Sequence, residues 1–221
     1  MAITQQEKQQ LLERVAAFEN ATGVQLVTTL LARCDDYPEI PWKAFAAGVA
    51  FSTSLLMLGV VFPDVRAFHF LAALPTVFVL IFVLGIGLVN VGVSILWPAY
   101  ARLFLSEARA DGEVRQSAQA LFLEHELFAT GTRTGVLMLV SAFEHRVLIL
   151  ADRNLRNRLP AGALDEVVMV MTPILRSAQW LAAFSAGIEK LQAIVHAHGF
   201  NGRSDSDVLP DHLDHEEGKK C

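Results

Sequence analysis

Two long apolar runs, set close together, restrict this chain more than any other feature. From Ala44 to Phe62 the sequence AFAAGVAFSTSLLMLGVVF carries no charge. About 19 residues rise roughly 28 Å as a helix, close to the thickness of a bilayer's hydrocarbon core. Pro63-Asp64-Val65-Arg66 breaks the run, and a second follows from Ala67 to Tyr100, its main interruptions being His69, Pro75, Asn90 and Pro98. A helix apolar on every face has no side to offer water. A chain of 221 residues with two such helices in tandem lacks the core to enclose them. The runs read as a transmembrane hairpin.

The two ends of a hairpin emerge on one side, so the segments before Trp42 and after Tyr100 share a compartment. Lys43, Arg102, Arg109 and Arg115 flank that side, against Arg66 alone in the turn, which predicts a cytoplasmic domain. Trp42, Trp97 and Tyr100 stand where interfacial aromatics anchor a span. The start, MAITQQEKQQ, lacks the basic-then-apolar profile of a signal peptide. The first span is therefore expected to serve as the targeting signal. Lys and Arg total 18 against 23 Asp and Glu, scattered along the chain, which excludes a nucleic-acid binder. Cys34 and Cys221 have neither disulfide-framework nor metal-ligand spacing.

Outside the hairpin the pattern is that of a small α/β domain. Residues 4–20 predict a helix, with Thr4 and Glu7 at capping-box spacing and Leu11, Leu12, Val15 and Phe18 on one face. Gly23 stops it, and Gln25–Leu31 predicts a buried strand. Residues 101–128 predict amphipathic helix, broken at Asp111-Gly112. Val136–Ser141 and Arg146–Ala151 predict a β-hairpin about Phe143-Glu144-His145. A helix after Gly162, bent or shortened at Pro173, and a last one from about Gln179 to His198 complete the domain. From Gly199 the chain is polar and aperiodic, and disorder is expected. Within the span, Asn90 is expected to bond Ser52, Ser54 or a second copy of the protein. Gly59 with Gly85 or Gly92 is expected to allow close helix contact.

Thr134–Ser141, Glu144-His145-Arg146-Val147, Ala151-Asp152 and Leu159-Pro160 together resemble the second half of the TPM domain. Glu19-Asn20-Ala21-Thr22-Gly23 and the strand after it resemble the first half. The family includes a thylakoid-lumen protein implicated in photosystem II repair and many bacterial membrane proteins. A hairpin set after the first strand resembles one bacterial branch. The resemblance implies an α/β sandwich, a small sheet with packed helices, interrupted by the transmembrane hairpin. It divides the chain into a first part (1–40), the hairpin (41–100), a second part (101–198) and a tail (199–221). It also implies a multi-pass protein of the bacterial inner membrane, and the charges flanking the hairpin predict that both termini are cytoplasmic.

Some relatives are described as acid phosphatases, and some are thought to bind a divalent cation through loop carboxylates. Many carry two acids where this chain has Phe143-Glu144, so the first acid is replaced here. Asp152-Arg153-Asn154-Leu155 replaces their Gly-rich segment. The carboxylates left to hold Ca2+ or Mg2+ are Asp35, Asp36, Glu144 and Asp152, with Glu39 and Arg146 as further binding candidates. The alternative for these acids is that they are solvated loop ends. Arg146 is expected to pair with Glu144 or with a helix acid. The expected partners are the lipid bilayer, other membrane proteins and a second copy through the hairpin. The expected function is assembly or quality control at the membrane; the alternative is a weak metal-dependent acid phosphatase.

Overall fold

A computed structural model describes residues 4–62, 75–129, 134–177, 179–202 and 213–216. The turn at Pro63–Arg66, His69 and Cys221 lie outside the described residues. The chain divides into two compact units, Asp36–Glu107 and the remainder, Met1–Asp35 with Ala108–Cys221. The insertion is thus slightly longer at both ends than the expected 41–100.

The larger unit is built on a mixed sheet whose strands, counted along the chain, lie in the order third, second, first, fourth. Helix α1 (Gln5–Thr22) has the predicted capping box, with Thr4 and Glu7 satisfying each other's end of the first turn. It stops at Gly23, whose φ of 71° is a left-handed conformation that a Cβ would strain. Strand β1 (Leu26–Leu31) follows and runs parallel to β2 (Val136–Ser141). Strand β3 (Arg146–Ala151) returns antiparallel to β2, the predicted hairpin, in a register that sets Val136 opposite Ala151 and Ser141 opposite Arg146.

Alternation along the strands divides the core into two layers. Leu26, Leu30, Val136, Met138, Val140 and Ile149 face α1, α7 (Ala163–Arg176) and α8 (Trp180–Ala197). Val27, Leu31, Leu137 and Leu139 face α5 (Glu107–Glu124). β1 and β2 are buried on both faces, and Thr28, Thr29 and Ser141 are enclosed along with their apolar neighbours. The α/β sandwich stands.

Four local expectations are corrected. α5 runs unbroken through Asp111-Gly112, where nothing crowds the glycine. The chain instead turns before it, through a short helix α4 (Pro98–Ala101), a 3-10 turn (Arg102–Phe104) and Leu105-Ser106. A short helix α6 (Arg153–Arg158) follows β3, missed because it carries one buried apolar side chain, Leu155, too few to set a period. Phe200, assigned to the tail, is buried in the main core, and the Arg158 guanidinium lies 3.9 Å from its ring centroid. Farther on, the backbone of Leu213–Glu216 forms β4, parallel to β1.

The inserted unit consists mainly of α2 (Glu39–Val61) and α3 (Thr76–Leu96), packed against each other. Lys43, near the start of α2, donates to the Phe104 carbonyl at 3.1 Å, so the unit is entered and left at the same end. Close approach falls at Gly48 and Gly87, not at Gly85 or Gly92, around which there is open space. A Cβ on Gly48 would come within 2.7 Å of Asn90 Nδ2, and one on Gly87 within 2.7 Å of the Phe45 ring. Asn90 bonds neither serine: its amide donates to the Ile86 carbonyl, and its oxygen accepts from the Tyr100 hydroxyl. Ser52 is satisfied by the Gly48 carbonyl of its own helix. A polar side chain in an apolar helix finds the nearest backbone acceptor first, because that contact needs no further ordering of the chain.

Candidate functional site

The C-terminal ends of β1 and β2 lie side by side because the two strands are parallel, and such an edge is where α/β folds gather ligand-binding loops. Pairing continues past the strands, with Ala142 N–H donating to the Leu31 carbonyl and Phe143 N–H to that of Ala32. Arg33 lies 4.6 Å from the Phe143 ring centroid.

Glu144 turns back beneath this edge and is only 5% exposed. Its Oε1 accepts from the Cys34 N–H at 2.9 Å, and its Oε2 accepts from the Ser141 hydroxyl. One carboxylate thus ties the end of β1 to the β2–β3 turn. His145 follows with a φ of 53°, the conformation that closes this turn. The Cys34 thiol is pushed up to about 11, mainly by burial and secondly by the Glu144 carboxylate, with a smaller contribution from Glu113. Hydrogen bonds with Ser141 and Ser117 offset part of the rise.

A thiol held protonated is a poor nucleophile. In a Cys221→Ser background, Cys34 is expected to react with iodoacetamide about a hundredfold more slowly near pH 8 than an ordinary thiol. Quantifying carboxamidomethylation by mass against a free-cysteine peptide measures this. The raised thiol also stabilises the fold below about pH 9, and that contribution is lost as pH rises through about 11.

The other candidate residues go elsewhere. Asp35 accepts from Arg109 at 2.9 Å, and Arg109 also pairs with Glu113 at 3.1 Å. Asp36 and Glu39 belong to the inserted unit, Glu39 in the first turn of α2. Arg146 Nε contacts Asp111 Oδ1 at 2.7 Å, so the expected helix acid is Asp111 on α5. Asp152 caps α6, its Oδ1 accepting from Arg153 N–H at 2.6 Å. Its Oδ2 is buried with no hydrogen-bond partner among the described residues.

The expected carboxylate set therefore does not converge. Asp152 follows the end of β3, beside Val136 at the start of β2, whereas Glu144 sits beyond the end of β2. Five residue steps of strand put the two acids roughly 17 Å apart along the sheet. An antiparallel return sends the later acid to the opposite end, and sequence spacing does not reveal that. Among the described residues no three His, Cys, Asp or Glu are grouped to hold a metal ion. The residues do not fit a shared Ca2+ or Mg2+ site, and no chemistry is derived through one. Two members of the edge escaped sequence reading, Ser141 and Ser117. Only the spacing of Ser141 to Glu144 across a tight turn could have pointed to either.

Residues 103–194 match the family model described as TPM domain. That segment is similar to the TPM domain. The matched segment spans α5, β2, β3, α6, α7 and most of α8, while β1 and α1 complete the same sheet and core from outside it. The NMR structure of BA42 protein from the psychrophilic bacterium Bizionia argentinensis is similar in fold, with a TM-score of 0.56 and 11% identity. The likeness covers 96% of this chain and 94% of that one. No curated protein matches the chain.

Proposed function

We propose that α2 and α3 anchor the TPM domain in a bilayer, and that the domain acts there by binding other membrane proteins in assembly or quality control. The supporting observation is the exposure of the inserted helices. Each has 21 residues long and apolar enough to cross a membrane, yet only 17% and 11% of their apolar windows is buried. Ile81 and Leu88 are 60% and 65% exposed, surface that water disfavours and lipid accepts. A tether raises the concentration of the domain at bilayer-resident partners, so modest affinity suffices. The basic residues flanking the hairpin favour a cytoplasmic face of a bacterial inner membrane. The pairing of Asp35 with Arg109 and the enclosure of Glu144 favour binding over hydrolysis.

The test uses the full chain in its own membranes. It is expected to resist alkaline carbonate, and the double substitution Ile81→Arg with Leu88→Arg is expected to release it, each arginine costing about 3 kcal/mol at mid-bilayer. Cross-linking in the membrane is expected to yield a defined membrane-protein partner. Extraction of the unaltered chain by carbonate would overturn the anchor. Phosphomonoester hydrolysis that needs Mg2+ or Ca2+ and is lost in Asp36→Ala would overturn the binding role in favour of the phosphatase.

A further inference from the structure

A second feature of the same sheet end lies toward α7 and α8. A cavity of about 260 Å³ opens between the β2–β3 turn and the end of α7. That volume equals roughly nine waters in the liquid, which sets the size of an occupant. Val140, Val147, Leu175 and Trp180 supply apolar wall, and His145, Arg146 and Arg176 stand around it. None of the described lining residues is acidic.

The charge balance narrows the ligand. Arg146 is paired with Asp111 at 2.7 Å, so its charge is already offset. Arg176, in the last turn of α7, is exposed and has no ion-pair partner among the described residues. One uncompensated guanidinium beside an apolar wall matches one negative charge on an apolar body. A dianion would leave a charge unmatched, and a neutral apolar molecule would leave the arginine unused. Trp180 provides an indole against which a flat ring can pack.

We infer that this cavity binds a small monocarboxylate with a flat apolar body, held by Arg176 and packed on Trp180. The inference is independent of the anchoring role. Benzoate is the probe, added to the full chain in detergent micelles, with Trp42→Phe and Trp97→Phe leaving Trp180 as the fluorophore. Saturable quenching is expected, weakened about tenfold or more by Arg176→Gln and largely retained by Arg176→Lys. Benzyl alcohol, which keeps the ring and lacks the charge, is expected not to saturate. Because Arg176 is exposed, both variants are expected to keep the far-UV spectrum of the parent. Absence of saturable quenching would overturn the site, as would an Arg176→Gln variant that binds like the parent or equal binding of benzyl alcohol. Displacement of benzoate by an equal concentration of inorganic phosphate would reduce the cavity to a bare oxyanion site, against the inference.

Discussion

Replacing Glu144 with alanine is expected to lower the stability of the sheet unit by about 3 kcal/mol. The carboxylate is buried and accepts from the Cys34 N–H and the Ser141 hydroxyl. Alanine leaves both donors in a site with little access to water, and the cost of an unmade buried hydrogen bond exceeds the gain from making one. Glu144→Gln keeps an acceptor for one donor and is expected to cost about half as much. Removing the charge also removes the second-largest cause of the raised Cys34 thiol. Thiol reactivity is therefore expected to rise in Glu144→Gln while the fold persists. Denaturant midpoints of the full chain in micelles, read with iodoacetamide rates, check both. A Glu144→Ala midpoint equal to the parent's would mean that the carboxylate does not clasp the two strand ends.

Gly135→Ala is expected to have a comparable cost, about 3 kcal/mol, for a different reason. A Cβ at this position would run into the backbone carbonyl oxygen of Leu127, which follows the end of α5. A side chain can rotate away from an intruding methyl, but a carbonyl fixed by its own chain moves only with that chain. Gly135 is also tied in place, because its carbonyl accepts from Asp152 N–H at 2.8 Å. Gly112→Ala is the control. It lies inside α5 with nothing within reach of a Cβ, and there alanine is expected to stabilise by about 0.5–1 kcal/mol. Thermal melts of the two variants are expected to move in opposite directions. A Gly135→Ala melt that stays with the parent's would place the Leu127 carbonyl farther from β2 than described.

Several features were legible before any coordinates because they depend on neighbours in sequence. The Thr4–Glu7 capping box, the αL stop at Gly23 and the β2–β3 hairpin all arise within a few residues. The TPM resemblance was legible for the same reason, since it rests on the order of those short elements. The candidate site was not. Glu144 is 110 residues from its partner Cys34, with the whole inserted unit between them. Asp152 stands only eight positions after Glu144, yet the hairpin carries it to the other end of the sheet.

The sequence by itself determined that two apolar helices interrupt an α/β domain, because periodicity and run length are properties of a short stretch of chain. Only the tertiary structure decided that Glu144 closes onto Cys34 and Ser141, that Arg146 goes to Asp111, and that Gly48 and Gly87 rather than Gly85 and Gly92 carry the helix contact. The physical reason is strand direction and helix rotation. Each is fixed by packing against elements far away in sequence, and a half-turn of either moves the same residues to a different set of neighbours.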